Sequence, residues 1–299
     1  MASPPAVLTP PTLLNTSALR TPRVLLPLAA TAAVFALLFA NPAVGLAQDW
    51  WNDPEAGHGL LLAPLAIWLA VRAPRVEARP NLVLGCVMLL GAVVLRWVGG
   101  IAAEFFTMRV SMLVAVAALV VVHSGVRQVL AWWLPFTLLA LSIPLPQVVL
   151  GTLALPLQLV ASKLGAAMLE ARHVPVALAG NVIRIPGREL FVTEACSGLR
   201  SLTALLSLGV LLGAMVLRHP ASRAAFLLLA LPVAIVVNAI RVFITGFLVH
   251  FVDPALGDGF LHLSQGWLLF VISFGLLGAI ALVGGRLERR FGVRGRTHV

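Results

Sequence analysis

The apolar residues of this chain come in long unbroken runs rather than in the one-face stripes of soluble helices. Eight runs are long or apolar enough to predict membrane spans, at roughly 24–46, 59–71, 82–98, 110–123, 129–143, 196–217, 224–249 and 262–284. The second and fifth are short and need flanking residues or a small tilt to cross. A barrel would instead alternate apolar and polar residues over about ten positions, and no such stretch is present. The pattern therefore predicts an all-α polytopic membrane protein with about eight transmembrane helices. It breaks once, over residues 144–195. Pro144, Pro146 and Pro156 punctuate the start of that excursion, and residues 157–171 have the spacing of a helix lying at the interface. VPVAL, the turn-like AGN, VIRI and LFV then read as short strands of a β-hairpin.

Composition supports the class. Hydrophobic residues make up 60%, charged residues 11%, and the mean hydropathy is +1.02. Soluble domains carry about 25% charged residues, so this chain has too few charges to cover a water-facing surface. The net charge of +10 does not point to nucleic acid, because the basic residues sit at the ends of spans and not along one groove. They set an orientation instead. Arg20, Arg23, Arg72, Arg75, Arg79, Arg127, Arg218, Arg223 and Arg286 fall on one side with only Glu77 and Glu288 as acids. The opposite side holds Asp49, Asp53, Glu55, Glu104, Glu170, Glu189, Glu194, Asp253 and Asp258. Both termini are expected in the cytoplasm, with the 144–195 excursion on the outer face. The expected organisation is a disordered Pro/Ser/Thr-rich N-terminus over residues 1–22, a transmembrane domain over 23–285 and a basic cytoplasmic tail over 286–299. The first apolar run lacks a convincing cleavage site and reads as an uncleaved span. No zinc spacing, phosphate-binding glycine loop or dinucleotide fingerprint occurs, and no cofactor or metal is expected.

Helix rise places three reactive residues at one height. At about 1.5 Å per residue, Cys196 lies about 33 Å from the inner anchor Arg218, Arg241 about 27 Å from Arg223, and His262 about 36 Å from Arg286. Against a hydrocarbon core of about 30 Å, all three fall near the outer interface. Cys196 opens its span in TEACSGLRS, a small and polar setting with Glu194, Ser197 and Gly198, where a helix N-terminus lowers a thiol pKa. Cys86, in a run of Leu, Val and Met, reads as an inert apolar core residue. Arg241 interrupts VAIVVNAIRVFITGF, and a cation within a span marks function unless it snorkels to headgroups. Asn238 lies three residues earlier on the same helix face and buttresses it. His262 begins LHLSQGWLLF and exchanges protons near neutral pH, although an isolated interfacial histidine is also satisfied by water. Glu194 is read either as an orienting group for His262 or Arg241 or as a helix cap.

TEACSGLRSLTALLSLG, then PVAIVVNAIRVF with its Asn-x-x-Arg, then His262-x-x-x-Gly266-x-x-x-Phe270 resemble the exosortase/archaeosortase family. PLP at 144–146, PLQLVAS, the Gly180-containing hairpin and the His58-Gly59 pair are similar too, so the resemblance covers roughly residues 48–284. It implies a membrane-embedded cysteine transpeptidase of the bacterial inner membrane. Its partners would be exported proteins carrying a C-terminal Pro-Glu-Pro-like motif, one transmembrane helix and a basic tail, together with a cell-envelope acceptor nucleophile. The role would lie in envelope or exopolysaccharide sorting. The family's Cys, Arg and His fall on Cys196, Arg241 and His262. The His58 loop departs from the pattern, reading AGHG where an aromatic-Ser-His-Gly is common.

Two other classes compete. A multi-pass transporter would use Arg241 for an anionic solute, but it would also show internal repeats or interrupted midplane helices, and no repeat is visible. An enzyme acting on lipid-linked sugars would need paired acids or a metal cluster, for which Asp49, Asp53 and Glu55 are the only grouping.

Overall fold

The computed structural model describes residues 22–53, 56–192, 199–253 and 260–291. In chain order the helices and strands are α1 (Pro22–Asn52), α2 (Gly59–Arg72), α3 (Leu82–Ile101), α4 (Phe105–Ser124), α5 (Val126–Ala131), α6 (Trp133–Leu141), α7 (Gln147–Glu170), β1 (Ala177–Ala179), β2 (Val182–Ile185), β3 (Arg188–Phe191), α8 (Leu199–Val216), α9 (Pro220–Phe251) and α10 (Phe260–Arg290). Two compact units divide the chain, Met1–Gly45 and Leu46–Val299. The described part of the first is the leading stretch of α1, and the second holds everything considered below.

Among the described residues, six helices are long and apolar enough to cross a membrane, and two shorter apolar helices accompany them at Gly59–Arg72 and Thr203–Val216. The protein is a polytopic helical membrane protein with one small three-stranded antiparallel sheet in the order β1-β2-β3. Large apolar side chains such as Leu228 and Val148 stand outward, which a lipid surround accounts for.

Two elements differ from the pattern-based expectation. The expected span at 129–143 is split into α5 and α6 at Trp132, whose φ of −90° and ψ of 26° leave the helical region. The expected interfacial helix at 157–171 begins ten residues earlier as α7, a candidate span of 24 residues. Pro146 stops nothing, because it stands at the N-cap position, and Pro156 is carried inside the helix. A proline is tolerated in a membrane helix where neighbours satisfy the freed carbonyl. The hairpin, by contrast, forms where AGN predicts it, with Ala179 opposite Val182 and Gly180 at φ +63°. The helix α10 runs through Arg286, Arg289 and Arg290, so the first basic residues of the expected tail complete a helix, where cations suit the dipole.

Helix contacts are made by small residues, as close packing without a hydrophobic drive requires. In the α3–α4 hairpin Gly85 lies against Val122 and Gly99 against Met108. Its tip is closed by Glu104, whose carboxylate accepts from the backbone N–H of Phe106 at 3.1 Å and Thr107 at 2.6 Å. Burial pushes this carboxyl up, but the Thr107 and Phe106 hydrogen bonds and the charge of Arg109 outweigh it and hold it below the usual carboxylate range. Between α7 and α9, Gly165 faces Val242. The sheet caps this pair: Ile183, Ile185 and Val192 form one apolar cluster with Ala161, Leu169, Val242 and Val249.

The last three helices share a clamp. Glu288 of α10 is 6% exposed, and its carboxylate accepts from the backbone N–H of Arg218 at 2.7 Å and of His219 at 3.1 Å. Those two residues make the turn from α8 to α9. From the other side Arg223 donates to the carbonyls of Leu217 at 3.0 Å and Ala214 at 3.3 Å, which satisfies carbonyls that the end of α8 leaves open.

A Cβ at Gly165 would sit 2.5 Å from Val242 Cγ1, whereas one at Gly151 on the same helix meets nothing within 4 Å. Gly165→Val is therefore expected to cost about 1–3 kcal/mol by overpacking, read as a lower thermal midpoint in detergent. Gly151→Val should leave the midpoint in place.

Candidate active site

Arg241 and Asn238 sit on α9. Asn238 is 5% exposed, and the adjoining Ala239 and Val242 pack against Gly165 of α7. This face of α9 therefore points into the protein and not to lipid. Arg241 is half-buried, with its Nε withdrawn from the surface. The side chain is thus partly withdrawn from its surroundings on a helix face that packs inward, where the dielectric is lower than in water.

The other two reactive residues are less fully described. Cys196 lies outside the described residues, as do Glu194, Ser197 and Gly198. The flanking elements are β3, which passes into Val192, and α8, which begins at Leu199. His262 has its backbone in the first turn of α10, while its side chain is outside the description.

Packing fixes the heights of these helices independently of charge. In α8 and α9, which run antiparallel, Gly213 faces Phe226. Fourteen residues from each, about 21 Å at helical rise, lie Leu199 and Ile240. In α8 and α10, which run parallel, Leu217 faces Gly284. Eighteen residues back from each, about 27 Å, lie Leu199 again and Gly266. The start of α8, the Arg241 turn of α9 and the first turns of α10 are thus level.

His58 is tied to the end of α6. It stands at the N-cap position of α2, and its Nε2 lies 3.1 Å from the Leu141 carbonyl oxygen, to which a protonated Nε2 donates. Beside it Trp50 Nε1 donates to the Ser142 carbonyl at 2.7 Å. Gly59 underlies that indole, since a Cβ there would run into the Trp50 ring. The His58-Gly59 pair therefore joins the loop before α2 to the end of α6.

Sequence reasoning missed one buried charge. Arg109, 6% exposed near the start of α4, pairs with Asp49 of α1 at 2.6 Å. Its position at the edge of an apolar run was the available signal. The cavity of about 350 Å³ lined by Ser222, Phe226, Leu229, Ile280, Gly284 and Glu288 belongs to the clamp end. Phe226 is fifteen residues, about 23 Å, from Arg241 along α9. Among the described residues no group of three or more His, Cys, Asp or Glu side chains could hold a metal ion.

With this geometry in place the comparison with known families is direct. The transmembrane exosortase family model matches residues 50–279. No curated protein and no solved structure matches the chain. The chain belongs to the transmembrane exosortase family, and that membership supports a membrane transpeptidase role in general.

Gly59→Ala is expected to lower the thermal midpoint more than His58→Ala. The first displaces the Trp50 indole and overpacks the loop, at about 1–3 kcal/mol. The second loses one hydrogen bond of about 0.5–1.5 kcal/mol. The reverse order in thermal scans would mean that the indole yields freely.

Proposed function

We propose that this exosortase cleaves C-terminal sorting signals of exported proteins through a thioester on Cys196. The signal is a Pro-Glu-Pro-like motif followed by one transmembrane helix and a basic tail. The observation that carries the reading is the common height of three helix segments: the start of α8, the Arg241 turn of α9 and the first turns of α10. Cys196 precedes α8 by three residues and His262 lies in the first turn of α10. The family match encloses all three positions.

In this scheme the Cys196 thiolate attacks the scissile carbonyl carbon and the carbonyl oxygen takes the negative charge. Arg241 stabilises that oxyanion from its half-buried position, where the interaction is stronger than in water. Asn238 supports Arg241 from the same face. As the C–N bond breaks, His262 protonates the leaving amine. It then deprotonates the incoming envelope nucleophile, which attacks the thioester and releases the thiolate. Glu194, Ser197 and Gly198 shape the cysteine's surroundings, and His58 supports the site by anchoring the α2 loop.

The distribution of basic residues supports an inner-membrane protein with both termini in the cytoplasm and the reactive residues toward the periplasm. On the same reading residues 23–285 form the membrane domain, with 1–22 and 286–299 as flanking segments.

The test is co-expression with a tagged protein that ends in this tripartite signal. Wild-type enzyme should shift the tagged protein on a gel. Cys196→Ala should abolish the shift, and Arg241→Ala should reduce it by about 10²–10³-fold, with both variants still inserted in the membrane. Undiminished processing by Cys196→Ala would sink the thioester mechanism.

A further inference from the structure

The sheet that leads to the cysteine segment ends in an amide latch. The β2–β3 ladder closes with Val182 opposite Phe191. One step further, the backbone N–H of Val192 donates to the Asn181 carbonyl at 2.9 Å. In the return direction the side-chain Nδ2 of Asn181 donates to the Val192 carbonyl at 3.1 Å. One residue therefore holds both polar groups of the Val192 backbone. The same Nδ2 lies 3.4 Å from Oε1 of Gln158, which is 7% exposed on α7. Ser162, fully buried one turn later, donates to the Gln158 carbonyl at 2.7 Å. The Val192 side chain, 2% exposed, is held in the apolar cluster of α7, the sheet and α9.

We propose that Asn181 and Gln158 are positioning residues for the transpeptidase reaction, fixing the point from which the chain leaves the sheet for Cys196. This rests on the reading of Cys196 as the nucleophile. Val192 is four residues before Cys196, and Leu199 is three residues after it. At about 3.3–3.6 Å per extended residue, Cys196 is tethered within about 14 Å of Val192 and about 11 Å of Leu199. The chain length alone sets these limits, and the latch fixes the Val192 end from which the first is measured. Its polarity is informative. Buried amides on α7 and in the turn cost stability unless they are bonded. Apolar residues could hold the sheet on α7, but they could not grip the main chain at the end of β3. Gly180 at φ +63° makes this possible by turning the hairpin so that Asn181 faces Val192.

The experiment uses full-length protein in detergent carrying Cys86→Ala, so that Cys196 is the only thiol. Three readouts are taken: the pH profile of Cys196 alkylation by iodoacetamide, processing of the tripartite reporter, and the thermal midpoint. Asn181→Leu keeps the side-chain size and removes the donor. It should move the alkylation midpoint to higher pH, because the chain entering the cysteine segment is no longer fixed, and slow processing at least tenfold, by more than the accompanying fall in thermal midpoint from the unpaired Val192 carbonyl and Gln158 Oε1 accounts for. Gln158→Leu should act in the same direction more weakly. Gln158→Glu, which still accepts from Asn181, should keep the wild-type alkylation profile and processing even where the buried carboxylate lowers the thermal midpoint. If Asn181→Leu does not fold, the contrast between the two Gln158 variants decides. A wild-type alkylation profile and wild-type processing in Asn181→Leu and Gln158→Leu would overturn the latch. So would losses that only follow a lowered thermal midpoint. Cys196→Ala run in parallel separates the two readings. If it still processes the reporter, the nucleophile assignment falls and the latch with it. If it is inactive while Asn181→Leu processes normally, the latch alone falls.

Discussion

Two oxygens of one buried carboxylate hold α8, α9 and α10 at a common origin. Glu288 accepts from the N–H groups of Arg218 and His219, and Arg223 returns to the carbonyls of Leu217 and Ala214. Without Glu288 two N–H groups in a tight turn would lose their acceptor, a cost of about 1–3 kcal/mol each where buried. With it, the turn between α8 and α9 cannot slide along α10. Every height on these three helices then follows from counting residues upward, because a helix is a ruler of fixed rise.

The small residues keep that ruler accurate. Gly213 against Phe226, Gly284 against Leu217 and Gly285 against Val216 let the three backbones approach closely enough to fix their stagger. The same device joins α7 to α9 through Gly165 and Gly246, the latter lying against Leu169 and Leu190. Through Leu190 the sheet is carried on these helices, although it belongs to no span. A sheet seated on two long apolar helices is a stiff element, where a loop alone would move.

Much of this was legible in the sequence. The apolar runs gave α2, α3, α4, α9 and α10 with small boundary shifts, because a span must be long and apolar whatever it packs against. The hairpin was legible from AGN, since glycine is needed at positive φ. What escaped depends on partners distant in sequence. Pro156 reads as a breaker until neighbouring helices support it, so α7 seemed shorter than it is. The 129–143 run reads as one span, but the backbone turns at Trp132. Of the candidate site, the inward placement of Asn238 and the partial burial of Arg241 were readable, because polar residues inside an apolar run have few explanations. The His58 bond to Leu141 spans 83 positions and that of Asn181 to Gln158 spans 23. Composition cannot show such pairings, and only the polar Gln158 in the middle of the apolar α7 hinted at the second.

The clamp and the latch lie on either side of α8 in the chain, one at its end and the other seven residues before its start. Glu288 fixes where α8 finishes, while Asn181 fixes where the chain stands four residues before Cys196. An error of one residue in α8 would shift its first turn by about 1.5 Å and rotate it by about 100°. In acyl transfer a misplacement of about 1 Å can cost about 10²-fold in rate. A thiol ahead of a helix held only at its far end would inherit every bend of that helix. Fixing Val192 removes one source of such errors, and the clamp at the far end of α8 removes another. On the proposed reading the sheet serves the site as much as the helices do, because it is seated on α7 and α9 and leads into the cysteine segment.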